Sequence, residues 1–287
     1  MVVRTVALGE QRARKGHVGG VEELAYSRSG RGIPFVFLHG LGASREQAEV
    51  AIADVDGVER LTIDAPAHGG SARSSVALGF RSFAREMVAV LDRLGVGAAV
   101  VGGISMGSGI ALRMARDFPD RVMSLVLVRP AWLDRPGRPH LDLVSDIGRW
   151  VAADGSDVAR KRLLDDERYA AITAVAPMAA ASVVKAIDTL EFTGRPDVLT
   201  AMVDSAPLDD LVELGAVTQP ALVVSTEHDP LHPCYIADTL TTVLPNAEGV
   251  LAPPRYLEPD SHQSALTAAI SSFVAHHHGE VELIGER

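Results

Sequence analysis

Cysteine occurs once in the 287 residues, at Cys234, so no disulfide can form within the chain and a reducing compartment is expected. Basic residues are outnumbered: 27 Lys and Arg against 37 Asp and Glu leave a formal net charge of −10. With no basic stripe along the chain, nucleic acid is not an expected partner. No apolar run approaches the length of a membrane span, so no membrane partner is expected either. The first thirty residues, opening Met1-Val2-Val3-Arg4, hold no apolar core of signal-peptide length. A soluble cytoplasmic protein is therefore the expectation. Internal repeats and low-complexity segments are absent as well.

What is present is ordinary globular material, 47% hydrophobic and 22% charged. The length allows one large core, or a core with a substantial insertion. Short apolar runs recur at Pro34–Leu38, Leu61–Ile63, Ala98–Val101, Leu125–Val128 and Ala221–Val224. None alternates strictly and each is bounded by turn residues, as in strands buried on both faces. Between them lie helical patterns. Phe80, Phe83, Ala84, Met87, Leu91 and Leu94 follow three- and four-residue spacing up to Gly95, and a second pattern runs from Gly107 towards Phe118 before Pro119. Strands alternating with helices predict an α/β fold, a mostly parallel sheet flanked by helices.

From about Leu133 to Gly215 no buried strand is evident, only helix-like stretches such as Leu141–Ala152, Val158–Leu164 and Ala179–Leu190. Residues 133–215 are accordingly expected to form a helical insertion over the carboxyl ends of the strands, with 1–132 and 216–287 forming the core. Two ordinary crossover connections flanking an unrecognised strand are the alternative.

Gly103-Ile104-Ser105-Met106-Gly107 carries the strongest chemical signal. An apolar run precedes it and a helical pattern follows, the context of a nucleophile elbow. Such a turn strains the serine backbone, and small residues two before and two after it let neighbouring backbone approach. A serine hydroxyl attacks poorly unless a base takes its proton, and that base is usually a histidine oriented by a carboxylate. Among ten histidines, His262 is selected because Pro259-Asp260-Ser261-His262 reads as a loop directly before a final helix, Gln263–Ala275. Asp229 is the selected acid, following the run Ala221–Val224 in a loop at a strand's carboxyl end.

With these residues in place, the chain from about Pro34 to Val274 resembles the α/β-hydrolase family, specifically its members with an inserted helical cap. The family's order of nucleophile, acid and histidine is met by Ser105, Asp229 and His262; because the acid follows the preceding strand in some members, the resemblance makes Asp134 the reserve acid. His39-Gly40-Leu41-Gly42 looks like its oxyanion loop, and Asp64-Ala65-Pro66-Ala67-His68-Gly69-Gly70-Ser71 is similar to a further family signature. By that resemblance the N–H groups of Leu41 and Met106 form the oxyanion hole. Three positions depart from the pattern. Thr226 stands where glycine is usual, Ser261 precedes the histidine in place of glycine, and the acidic and proline positions after it are missing.

Arg129, ending the run Leu125–Val128, is a candidate for binding a substrate anion, or else for a salt bridge to a local acid. Trp132, Trp150, Met178, Phe192 and Met202 are candidates for an apolar acyl pocket, or for packing within the insertion. Glu227, His228, Asp229 and His232 are ligand types, but neighbouring loop residues point in different directions, so no metal is implied, nor any organic cofactor. His39 and His68 are expected to order loop backbone. The expected function is a serine hydrolase cleaving a small-molecule carboxylic ester or lactone through an acyl-enzyme. Serine at the elbow speaks against the dehalogenase and epoxide hydrolase branches of the family, which use aspartate there. Carbon–carbon bond hydrolysis of a diketone and a non-catalytic ligand receptor are the alternatives. The sequence carries no signal of oligomeric state.

Overall fold

The computed structural model describes residues 14–18 and 24–279. Its centre is an eight-stranded sheet in the order β1-β2-β4-β3-β5-β6-β7-β8. The chain enters by β1 (Arg14–Val18) and β2 (Leu24–Gly30), which pair antiparallel at one edge. β3 (Ile33–Leu38) leads to α1 (Arg45–Ala51) and β4 (Val58–Ile63), and α2 (Phe80–Arg93) leads to β5 (Ala99–Ile104). α3 (Met106–Asp117) connects β5 to β6 (Val122–Val128).

Five helices follow before the sheet resumes: α4 (Asp142–Asp154), α5 (Ser156–Leu164), α6 (Glu167–Val175), α7 (Pro177–Thr193) and α8 (Asp197–Val203). Among the described residues no strand lies between β6 and β7. Then come β7 (Ala221–Thr226), α9 (Cys234–Val243), β8 (Ala247–Ala252) and α10 (Pro259–His278). From β3 to β8 every neighbouring pair is parallel.

The apolar runs become central strands because successive side chains serve opposite faces. Phe35 and Phe37 of β3, with Val126 and Val128 of β6, pack with Ala48 and Ala51 of α1 and Leu266, Ile270 and Phe273 of α10. Val36 and Leu38, with Leu125 and Leu127, join α2, α3 and α9 on the other face. The predicted helical spacing of α2 is real: Phe80, Phe83, Ala84, Met87 and Leu91 are all buried. The helical segment's core, including Ile147, Leu163, Ile187 and Leu199, is continuous with this second layer. Trp132 is the joint. Its indole N–H donates to the Met202 carbonyl at 3.1 Å, and its ring meets Phe80 edge-on at 5.4 Å.

Two expectations require correction. Three strands, β1, β2 and β8, lie beyond the five predicted. The last helix begins at Pro259, four residues before the expected start, so His262 sits in its first turn and not in a loop. Proline suits that first position because its missing N–H would have no partner there.

The elbow fixes Ser105 at φ 57° and ψ −111°, a strained conformation for a residue with a side chain. The flanking glycines are there for space. A Cβ at Gly107 would lie 2.3 Å from the Leu38 carbonyl oxygen, and one at Gly103 would lie 2.6 Å from the Gly107 carbonyl carbon. Gly107→Ala is expected to destabilise the protein by about 1–3 kcal/mol, as overpacked sites do. Denaturant unfolding checks this; an unchanged midpoint would show that the elbow has room the geometry denies it.

Candidate active site

Main-chain hydrogen bonds that continue the parallel ladder past the strand ends place the reactive residues. Ser105 N–H donates to the Val128 carbonyl at 3.0 Å, and Arg129 N–H donates to the Val224 carbonyl at 2.7 Å. Ser105 and Arg129 thus stand side by side at the carboxyl edge, where ligands bind in open α/β sheets.

After β7 the chain makes a tight turn through Asp229-Pro230-Leu231-His232. His232 N–H donates to the Asp229 carbonyl at 3.2 Å, and Leu231 N–H donates to Asp229 Oδ1 at 3.1 Å. Proline second in a turn and aspartate capping the backbone two residues on are both favoured arrangements. The turn folds the His232 ring back over the Asp229 carboxylate, with Nδ1 2.9 Å from Oδ2. A carboxylate only accepts, so Nδ1 carries the proton and Nε2 is left with a lone pair. Nε2 lies 2.9 Å from Ser105 Oγ. Ser105, His232 and Asp229 form one continuous hydrogen-bonded chain.

Arg129 closes the chain behind the acid, its Nη1 2.9 Å from Asp229 Oδ2 and 3.4 Å from the Tyr256 hydroxyl. Both side chains of this ion pair are buried. Burial would raise the Asp229 pKa, but His232 and Arg129 overcome it and hold the carboxyl well below the usual range. For His232, burial dominates and lowers the pKa; Asp229 opposes this and Arg129 adds to it. The imidazole is therefore neutral at pH 7, the form that accepts a proton.

His262 is not brought to Ser105. Its Nδ1 donates to the Pro253 carbonyl at 2.9 Å, while its buried Nε2 has no hydrogen-bond partner among the described residues. Thr226 Oγ1 donates to the same carbonyl at 2.9 Å and accepts the Arg255 N–H at 3.2 Å. Thr226 fastens the loop after β8 to the end of β7, and His262 fastens it to the first turn of α10. The reserve acid, Asp134, is engaged by Arg138 and Arg135.

The loop bearing Leu41 lies against the elbow: a Cβ at Gly40 would sit 3.6 Å from Ser105 Cβ. It is braced on both sides of Leu41, by Gly40 N–H to Gln47 Oε1 at 2.8 Å and Gly42 N–H to His68 Nε2 at 3.2 Å. His39 donates to the Gly40 carbonyl and accepts from Ala65 N–H; His68 donates to the Pro66 carbonyl. Burial pushes their pKa values down to about 4 and about 3, so both are neutral braces. Asp64 binds Arg45 and the Gly70 N–H, tying the next loop to the same region. Met106 opens α3, where its N–H has no preceding helical carbonyl to bond.

Beside Ser105 and His232 lies a cavity of about 1120 Å³. Trp132, Met178 and Phe192 are in its lining, Met178 and Phe192 being 54% and 82% exposed. Trp150 does not; it packs partly buried against the core, and Met202 is fully buried in it. Arg129 lines the cavity but is tied to Asp229, so the salt-bridge alternative describes it. Cys234 donates to the Thr226 carbonyl, and burial raises its pKa, leaving an unreactive thiol.

A family model described as alpha/beta hydrolase fold matches residues 33–255, and the chain belongs to that family. A pimeloyl-(acyl-carrier protein) methyl ester esterase of Nitrosomonas europaea is 28% identical over 238 residues, covering 78% of this chain and 88% of that protein. A protein of Azorhizobium caulinodans named as a carbamate hydrolase is 27% identical over 244 residues, covering 80% and 86%. Among solved structures, a thermophilic esterase from Thermogutta terrifontis superposes with a TM-score of 0.73 at 20% identity, covering 93% of this chain and all of that one. That last likeness speaks to the fold.

Arg129→Met is expected to raise the His232 pKa, because the neighbouring cation that disfavours imidazolium is gone. Removing one partner of a buried pair should also cost about 3 kcal/mol of stability. Imidazole NMR titration with a parallel urea melt reads both; an unmoved or lowered His232 pKa would show that Arg129 does not act on the imidazole.

Proposed function

We propose that the protein is a serine hydrolase cleaving a small-molecule carboxylic ester or lactone, with Ser105 as nucleophile, His232 as base and Asp229 as the orienting acid. The observation that carries this is the 2.9 Å contact from His232 Nε2 to Ser105 Oγ, on a ring whose other nitrogen is held by a carboxylate.

In the first half-reaction Ser105 Oγ bonds to the substrate carbonyl carbon as its proton passes to His232 Nε2. Leu41 and Met106 N–H groups receive the developing oxyanion, a contribution of about 3 kcal/mol per fixed donor. Collapse breaks the carbon–oxygen bond, and His232 returns the proton to the leaving alcohol. In the second, His232 takes a proton from water as its oxygen attacks the acyl carbon, then gives it back to Ser105 as the acid departs. Asp229 stays ionised and stabilises each imidazolium. The helical segment, residues 133–215, acts as the cap that shapes the acyl site. The relatives named as an ester esterase and a carbamate hydrolase accord with acyl transfer to water. The diketone alternative drew on a basic residue such as Arg129 near the site; Arg129 is paired with Asp229, and comparing turnover of simple aryl esters with that of a ring-fission diketone separates the two readings.

A fluorophosphonate probe followed by peptide mass spectrometry tests the assignment. Labelling is expected at Ser105, abolished in Ser105→Ala and His232→Ala, and retained in His262→Gln. The reverse pattern for the two histidines would return His262 to the role of base. Turnover of 4-nitrophenyl butanoate should fall on the order of 10⁴-fold or more in either inactive variant.

The pH profile follows from the lowered His232 pKa. Only neutral imidazole accepts the serine proton, so kcat/KM should rise with pH through a limb whose midpoint lies below 6.5 and level off by neutrality. A limb centred above 6.5 would contradict the burial argument.

A further inference from the structure

Three arginines line the cavity, and two are neutralised within the fold: Arg45 by Asp64 and Arg129 by Asp229. The third, Arg255, lies on the loop that Thr226 fastens to β7 and His262 to α10. Its main-chain N–H is held by Thr226 Oγ1, but among the described residues its guanidinium enters no ion pair and makes no hydrogen bond. It is half-buried. Lys185, on α7, also lines the cavity but is exposed, so water screens its charge.

Asp229 acts on this charge only from a distance and is itself paired with Arg129, and a half-buried cation with no ion-pair or hydrogen-bond partner of its own is unfavourable unless a ligand supplies one. We propose that Arg255 is an anion subsite of the cavity, and that the substrate carries a carboxylate besides its ester bond. The proposal rests on the hydrolase reading for its reaction but not for its binding. Burial, and then repulsion from Arg129, press the Arg255 pKa down, which is the strain an incoming carboxylate relieves. The guanidinium fork matches a carboxylate in two parallel hydrogen bonds. The role expected of Arg129 thus passes to Arg255, because Arg129 is occupied by the catalytic acid.

The loop bearing Arg255 is pinned at both ends. Thr226 holds it at β7, and Leu257 and Glu258 N–H groups donate to the Pro254 carbonyl just before α10. A cation carried on a loop tethered in this way selects by position as well as by charge. The carboxylate can belong to the acyl group or to the leaving alcohol, and two substrate pairs separate these. Mono-4-nitrophenyl glutarate against 4-nitrophenyl butanoate places it on the acyl side. 4-Carboxyphenyl acetate against phenyl acetate places it on the alcohol side.

For wild type, kcat/KM should favour the acidic member of one pair. In Arg255→Met that ratio should fall on the order of 10- to 100-fold, the range of a lost charge-assisted hydrogen bond, with partial recovery in Arg255→Lys. Thermal melts confirm that each variant is folded. Wild-type turnover with no acidic preference, or ratios identical in wild type and Arg255→Met, would overturn the subsite and leave the hydrolase reading intact. If wild type turns over none of the four, the hydrolase reading falls. Calorimetric titration with monomethyl glutarate and 4-carboxyphenyl acetate then decides the subsite: binding lost in Arg255→Met upholds it, and binding absent or independent of Arg255 overturns it.

Discussion

The site depends on a buried ion pair, Arg129 with Asp229. A carboxylate removed from water this completely is unstable alone. Here Asp229 receives Arg129 Nη1 and His232 Nδ1 on one oxygen and the Leu231 N–H on the other. These donors keep it ionised, and its ionisation keeps the proton of His232 on Nδ1. That tautomer leaves Nε2 basic towards Ser105. Arg129 has a second effect of opposite sense on the ring, since its charge disfavours imidazolium while Asp229 favours it. With burial, the balance gives a neutral base at pH 7 that can still be protonated transiently.

The same pair ties the sheet's edge together. Arg129 adopts φ 46°, an uncommon conformation for a side-chain-bearing residue, while its N–H extends the ladder to Val224. Ser105 is similarly strained one strand away. Strained residues at neighbouring strand ends persist only because ladder bonds and the buried pair over-determine them. The acid and base, three residues apart, need only one turn to meet. That economy frees the segment after β8 to serve as a clasp: Pro253 accepts from both His262 and Thr226, and Arg255 hangs from the clasp.

The central strands were legible because strands buried on both faces are continuous apolar runs. The edges were not. β8 leaves Glu248, Gly249 and Leu251 exposed, and β2 mixes Ser and Arg into its apolar residues. At the site, Ser105 and Asp229 were readable from their position at strand ends, and His262 misled through one boundary. Reading Pro259–Ser261 as loop put His262 beside the sheet's edge; a proline at the first helical position was the signal that α10 starts there. His232 was visible only as one of several ligand types. The argument that consecutive loop residues diverge holds for extended loops, and fails for Asp-Pro-Leu-His, whose turn returns the fourth side chain to the first. The family pattern pointed the same way, since the residues that usually accompany the later histidine are missing around His262. For Arg129 the salt-bridge alternative was the physical one, because a buried aspartate needs a cation more than a cavity open to water does.

Reactive groups and lining come from different parts of the chain. Ser105, Asp229 and His232 follow strand ends fixed by the parallel ladder, whereas Met178 and Phe192 belong to α7 and Trp132 to the entry of the helical segment. Trp132 anchors that segment to the core through Met202 and Phe80. Met178 and Phe192 are exposed on α7. Side chains there can change size without disturbing a hydrogen bond of the triad, and the cavity's shape is then free to vary while its chemistry stays constant. Arg255 is the exception on the core side, a polar residue of the cavity lining whose main-chain N–H is held by Thr226. On the proposal that Arg255 is an anion subsite, a substrate would be oriented by one charge and accommodated by an apolar wall, the division of labour expected of a pocket with few polar groups.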